Sequence, residues 1–475
     1  MVKPHYLAVV QKNDPRQEPV ATPFPEVHAY VLKKLAGRQD CVGQKGSYLK
    51  VFQSALHYYL NNRQNAKQKR RFFQGSAIVQ WAYFLRLYFK TMLKSKTISS
   101  PYVIQDPGRL TAEGHSVFFT KIMQVLDSKS FTVLVKRRKA QSQQEQVIEE
   151  AEGKFAFPGL RIWRQLKDLR AVYENAQSSG RWNDEELHYL DSSLHSFLMR
   201  YARCWGSYDA AKNKKVFFTV HYINEGFICA MRDMGIQTVE LQHGLISGAD
   251  LYYVYPEDYR PWINNMFLPD YLLMYGDLWR NRLLQGIEWK PEQLLMMGDY
   301  TELFVQEKAS SQKENVVLMC AQKFLSDQYL PWIEQLKIVL KNHPDWKMVV
   351  KLHPYEPKQD VPKYMALADE QVEIVQTGSL NDWFSKSKIQ VSVYSTTFYD
   401  AIGYVIMNYA LTNTGVYDAY VDEMLAAEVA VGIALNEDPI ERFTQEGVQG
   451  ILKNKTPIYA PWDSKKFQAF LTTSA

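Results

Sequence analysis

The sequence predicts an α/β fold: two doubly wound parallel sheets facing one cleft, behind a helix-rich N-terminal region. Three observations predict it. Apolar, β-rich runs alternate with helical patterns from Lys215 onward, as parallel sheets require. The alternation pauses at a polar segment, Glu307 to Glu314, and restarts at Asn315. Each half has an apolar run ending in a histidine: Glu240-Leu241-Gln242-His243-Gly244 in the first, Lys351-Leu352-His353-Pro354 in the second. Open α/β sheets bind ligands outside the carboxyl ends of their strands.

A chain of 475 residues is too long for one ordinary core. The expected division is a first domain at 1–306, helix-rich to about residue 206, and a second domain at 307–475. Hydrophobic residues are 46% and charged residues 23%, the composition of a soluble globular protein. The four cysteines, Cys41, Cys204, Cys229 and Cys320, have neither CxxC pairing nor metal-ligand spacing. A reducing compartment without structural zinc is expected. With no leader and no spanning helix expected, the predicted location is cytoplasmic, at most peripheral on the inner face of the membrane.

The net charge of +5 is unevenly spread, since Asp40 is the only acid from Val31 to Ser100. Arg63, Lys67, Lys69, Arg70, Arg71, Arg86, Lys90, Lys94 and Lys96 lie there, with Trp81, Tyr83, Phe84, Tyr88 and Phe89 interleaved. The pattern fits an anionic membrane surface, an anionic acceptor, or a solvated helix face over a core stripe. No nucleic-acid motif accompanies it, and no nucleic-acid partner is expected.

Helices are predicted over Phe52 to Arg71, Ser76 to Lys94 and Asp184 to Arg203 from their apolar spacing. Lys136 to Lys154 is charged and Gln-rich, and reads as a surface loop. Strands follow at Val216 to His221, Thr238 to Leu241, Tyr271 to Tyr275 and Leu294 to Met297, with a helix at Glu225 to Asp233. In the second half, strands are expected at Asn315 to Cys320, Lys347 to Leu352, Val372 to Val375, Ile389 to Val393 and Val405 to Leu411. A helix is expected at Asp327 to Asn342.

A histidine at a strand end can take a proton near neutral pH, and Gly244 would let the backbone turn sharply beside His243. A structural histidine tied to a loop carbonyl is the alternative. His353 before Pro354 would bond a phosphate or ribose, or tether its loop. Tyr394-Ser395-Thr396-Thr397 reads as strand, hydroxyl-rich turn, helix, which suits a phosphate site or an ordinary N-cap. Lys323 and Lys351 are the candidate cations. The tyrosine-rich loop Leu251 to Tyr259 would stack on a sugar ring or simply pack. Walker A, GxSxG, HExxH and Rossmann glycine motifs are all missing.

In order, the motifs are Glu-Leu-Gln-His-Gly, Tyr255-Pro256, Pro269-Asp270-Tyr271 with Gly276, Lys-Leu-His-Pro, and Ser-Thr-Thr with Asp400-Ala401. Together they resemble the bacterial capsule and lipopolysaccharide glycosyltransferases of GT-B fold. That group is similar in motifs to bacterial sialyltransferases, polysialyltransferases and CDP-glycerol polymerases. The resemblance spans Val216 to Leu411 and implies that the 1–306 domain binds the acceptor and the 307–475 domain the donor. It implies that His353 and Pro354 contact the nucleotide and that Ser395, Thr396 and Thr397 hold the donor phosphate. The base would be His243, as in the polymerases. Sialyltransferases use an acid instead, which leaves Glu240 and Asp250 as rivals. The implied activity is inverting transfer of an acidic sugar, sialic-type or Kdo, from a CMP-linked donor to a glycan or glycolipid, with no cofactor and no metal. Polyol-phosphate transfer from a CDP-alditol and a non-catalytic assembly scaffold are the alternatives.

Overall fold

The structure is a computed structural model. It describes residues 42–43, 46–62, 72–93, 97–107, 116–127, 130–135, 147–149, 154–248, 252–255, 257, 260, 266–301, 313–322, 325–354, 356–412, 414, 418–446 and 458–472. Asp250, Lys323, Pro256 and most basic residues of the N-terminal stretch lie outside these, as does the 302–312 segment containing the expected division.

A two-residue ribbon, β1 (Val42–Gly43) with β2 (Gly46–Ser47), precedes the sheets. The first sheet contains β3 (Tyr102–Asp106), β4 (Phe131–Val135), β5 (Val147–Glu149), β6 (Lys215–Phe218), β7 (Gln237–Leu241), β8 (Tyr271–Met274) and β9 (Leu294–Met296). Its order is β5-β4-β3-β6-β7-β8-β9, all parallel. The second contains β10 (Glu314–Cys320), β11 (Lys347–Lys351), β12 (Val372–Val375), β13 (Ser387–Ser392), β14 (Met407–Leu411) and β15 (Val431–Ile433). Its order is β12-β11-β10-β13-β14-β15, again all parallel. In each sheet the chain builds outward from a first strand, then crosses to its other side. That is the doubly wound Rossmann order, with switch points between β3 and β6 and between β10 and β13. The expected pair of doubly wound sheets is present.

The first sheet begins earlier than the sequence indicated. Strand–helix alternation starts at Tyr102, not at Lys215, so the region before 206 is not simply helical. β3 (Tyr-Val-Ile-Gln-Asp) and β4 (Phe-Thr-Val-Leu-Val) are only five residues each, too short for periodicity to distinguish from buried helix. Within the expected Gln-rich loop, Val147–Glu149 forms the edge strand. The helix Leu160–Ser178 was also unanticipated.

Helices Leu49–Asn62, Leu160–Ser178, Asp184–Ser207 and Glu225–Met234 cover one face of the first sheet with a continuous apolar core. The Asp184–Ser207 helix starts where Asn183 and Glu186 bond each other's backbone N–H groups, both at 2.8 Å. The opposite face packs against residues of the second half, including Phe398, Tyr399, Val421 and Met424. The final helix, Ser464–Thr472, falls in the expected donor-side half but returns to the first sheet. Phe467 meets Phe217 at 5.7 Å between rings, and Phe470 meets Tyr271 at 5.1 Å. Among the described residues, no helix is long and apolar enough to cross a membrane.

Candidate functional site

His243 follows β7 and is half-buried. Its neighbour Gln242 is fully buried and braces the turn. The Gln242 amide donates to the Gly244 carbonyl at 2.9 Å, and its Oε1 accepts the Tyr275 N–H at 3.1 Å. Gly244 is not among the left-handed residues, and a Cβ there would meet nothing within 4 Å. The turn therefore needs no glycine for its backbone. What the missing side chain provides is open space next to the imidazole.

Behind His243 runs a chain of polar groups. Tyr253 Oη donates to Glu240 Oε1 at 3.1 Å and stands 3.4 Å from His243 Nδ1. Its one proton being given to Glu240, the phenol oxygen accepts from Nδ1–H, which leaves the lone pair of His243 on Nε2. Glu240 Oε2 is 2.6 Å from His221 Nδ1, and Oε1 accepts the His221 backbone N–H at 3.1 Å. Lys50 Nζ is 2.7 Å from His221 Nε2. An ammonium only donates, so Nε2 accepts and Nδ1 carries the ring proton toward Glu240. Burial holds His221 below the ordinary imidazole range. Burial alone would raise Glu240, but His221 and then His243 outweigh it and hold the carboxyl below the usual glutamate range.

Glu240 and His221 have no exposed surface. Glu240 is thus a partner within this chain, out of reach of a substrate. His221 stands at the switch point of the first sheet, after Val220, whose φ of 65° is left-handed. A β-branched residue there is strained by about 1–3 kcal/mol. Sequence reasoning missed both Lys50 and His221. The strand-end rule that singled out His243 applies equally to His221, which closes the β6 run. Lys50 offers no local signal, because it reaches His221 from 171 residues away. Tyr222 stacks on Tyr252 at 4.1 Å and approaches the His243 ring at 6.4 Å.

The loop after His243 leads directly to the second half. Ser247 donates to Glu423 at 2.9 Å, and the Ile246 carbonyl accepts from Arg282 at 3.0 Å. Arg282 also donates to Tyr399 Oη at 3.2 Å. Tyr394, at the second sheet's switch point, packs against the cores of both halves. The carboxyl ends of the two sheets therefore converge near His243.

At that second switch point, Gln322 Oε1 accepts the Tyr394 N–H at 3.1 Å, joining the ends of β10 and β13. Ser395 is buried, and its hydroxyl accepts the Thr397 N–H at 3.2 Å. Thr397 Oγ1 accepts from Gln390 at 2.6 Å. Thr396 is exposed. The helix beginning at Thr397 has only four residues, ending at Asp400, so it supplies little macrodipole. His353 is half-buried just beyond β11. β11 lies two strands from β13, which puts their ends roughly 10 Å apart. Pro354 is exposed. Lys351 is buried and donates to the Gln376 carbonyl at 2.8 Å, with burial lowering its pKa. Among the described residues, no group of three His, Cys, Asp or Glu side chains is arranged to hold a metal.

No protein-family model matches the chain, and no curated protein matches it. Solved structures do. One is S. aureus MnaA with UDP, at 12% identity over 79% of this chain and 98% of that one, TM-score 0.46. A UDP-GlcNAc 2-epimerase from Neisseria meningitidis bound to UDP-GlcNAc matches at 13% identity over 78% and 98%, TM-score 0.45. The glycotransferase of kitacinnamycin matches at 11% over 78% and 94%, TM-score 0.41. At these values the likeness concerns chain path alone, and the fold assignment rests on the two strand orders above.

Proposed function

We propose that this chain is a glycosyltransferase of GT-B type that uses a nucleotide-activated sugar. The observation that supports this reading best is the placement of His243. It ends a strand of one doubly wound sheet, on a loop that touches the other half, with a buried carboxylate behind it. Nε2 takes the proton of an acceptor hydroxyl. The hydroxyl oxygen attacks the anomeric carbon, and the bond from that carbon to the donor phosphate breaks with inversion. Glu240, through Tyr253, stabilises the imidazolium that forms, in the manner of a base oriented by a third group.

The nucleotide lies at the second switch point. Thr396, the backbone of the Ser395 turn and His353 face the leaving phosphate, and Pro354 shapes the loop. Lys351 is already spent on a carbonyl, and neutral donors dominate the turn. That suits a monophosphate better than a diphosphate, which carries more charge and recruits Arg or Mg²⁺. The donor is accordingly CMP-linked, with an acidic sugar as its cargo and a glycan or glycolipid as acceptor.

A thermal-shift panel of CMP, CDP, UDP and GDP tests the nucleotide, because a ligand of the native state raises its melting temperature. CMP is expected to give the largest rise. His243→Ala should keep that rise while donor hydrolysis falls about 10²- to 10⁴-fold. Glu240→Gln should shift the pH profile of hydrolysis without abolishing it. No response to any nucleotide, together with no hydrolysis of any CMP-sugar, overturns the proposal. Stabilisation by UDP instead of CMP overturns only the donor.

A further inference from the structure

The helix Ala77–Met92 carries apolar side chains on both faces: Phe84 and Leu87 pack into the core, yet the outer face is apolar as well. Its polar Gln80 is buried, donating to the Phe72 carbonyl at 2.8 Å, while Ile78 and Val79 are 74% and 62% exposed. Further along, Phe89 is 57% and Leu93 88% exposed. Ile78, Ala82, Arg86, Phe89 and Leu93 follow one another at helical spacing and form a stripe along the outer face.

A second segment extends this surface. Trp81 Nε1 donates to the Pro158 carbonyl at 2.8 Å, and Tyr88 meets Phe157 edge-on at 5.4 Å. Phe157 and Leu160, both more than half exposed, thereby adjoin the helix. Of the thirteen large hydrophobic residues most exposed among those described, eight lie on this one surface. Clustering of this kind marks an interaction site, whereas scattered exposed residues do not.

Charge indicates what the surface meets. Arg86 and Lys90 stand on the exposed helix face, and the helix contains no acid. Arg164, one turn beyond Leu160, is exposed as well. In sequence, Arg70 and Arg71 precede the helix and Lys94 and Lys96 follow it. An apolar face interspersed with Arg86 and Lys90, with Trp and Tyr at its margin, is complementary to the interface of an anionic bilayer. We infer that the Ala77–Met92 helix and the Phe157–Leu160 turn form an in-plane docking face for an anionic lipid surface. The apolar side chains enter the acyl boundary, and Arg86 and Lys90 meet the headgroups.

The test is flotation of the full chain with vesicles of phosphatidylcholine alone or mixed with phosphatidylglycerol. Binding is expected to the mixed vesicles, to be much weaker on phosphatidylcholine, and to fall as salt rises from about 0.1 M to about 0.5 M. Ile78→Asp with Phe89→Asp and Leu93→Asp should lower partitioning on the order of 100-fold. The melting temperature should stay near wild type, because the three side chains are already mostly exposed. Should that variant fail to fold, Arg86→Glu with Lys90→Glu should still abolish the preference for anionic vesicles. No binding to mixed vesicles, or retained preference in the charge variant, overturns the inference. So does light scattering that shows a dimer dissolved by the apolar substitutions, which would make a second copy the occupant. None of these outcomes depends on nucleotide binding.

Discussion

Glu225 begins the Glu225–Met234 helix with its carboxyl buried, and burial pushes its pKa up to about 8. Glu288 is raised the same way, to about 7. Each binds its proton more tightly in the folded chain than in the unfolded one. Their stabilising contribution is therefore complete below the ordinary glutamate range and is lost as pH rises to about 8. Burial lowers the pKa of His221 and His195, which acts in the opposite sense over the same range, so the test is the difference: the melting temperature of Glu225→Gln should gain on that of the wild type as pH rises from about 5 to about 8. An unchanged slope in the folded variant would mean that Glu225 is ionised throughout. The pair sits near the Lys50–His221–Glu240 chain, where Lys50 opposes both shifts. His243 was recognisable as a strand-end histidine. Glu240 and the loop that supplies Tyr253 were legible beside it, whereas the Lys50–His221 contact behind Glu240 was not, because Lys50 comes from 171 residues away.

Among the elements, the segment before the last helix is held by backbone close to backbone. Gly298 has a φ of 84°, and a Cβ there would stand 2.1 Å from the Pro461 carbonyl oxygen. Asp299 N–H donates to the Ala460 carbonyl at 2.9 Å, and Ala460 N–H to the Tyr275 carbonyl at 2.7 Å. Gly298→Ala should cost about 1–3 kcal/mol from backbone strain alone, with the clash adding to it. Urea denaturation measures this, and the denaturation midpoint should drop. A variant of unchanged midpoint would show that the 458–463 segment can move aside freely. The sequence predicts only that a strand ends beside it, at Met297. Nothing near Gly298 hints that Pro461, 163 positions later, lies against it.

For the whole molecule, Arg282 joins the halves. It is buried, bonds Ile246 on its own side, and reaches the Tyr399 hydroxyl and the Glu423 carbonyl on the other. The Glu423 carboxylate lies 3.6 Å from its Nε. Removing one member of a buried charged network leaves its partners uncompensated, at about 3–5 kcal/mol. Arg282→Ala should split the calorimetric unfolding into two transitions, one for each half. A single transition at the wild-type temperature would mean that the apolar contact of Phe398, Tyr399 and Met424 suffices to join them.

What the sequence determined by itself was local and periodic. The strands after Lys215, the helices at Asp184 and Asp327, the restart at Asn315 and the two strand-end histidines all follow from runs of residues that report their own burial. Tertiary structure decided the rest. It placed β3 and β4 in the sheet, because segments of five residues carry too little of a period to report their structure. It brought Lys50 and His221 behind Glu240, returned the last helix to the first sheet, and left a second apolar face of the Ala77–Met92 helix exposed. Each of these depends on contacts between residues far apart in the chain, and periodicity carries no information about such contacts.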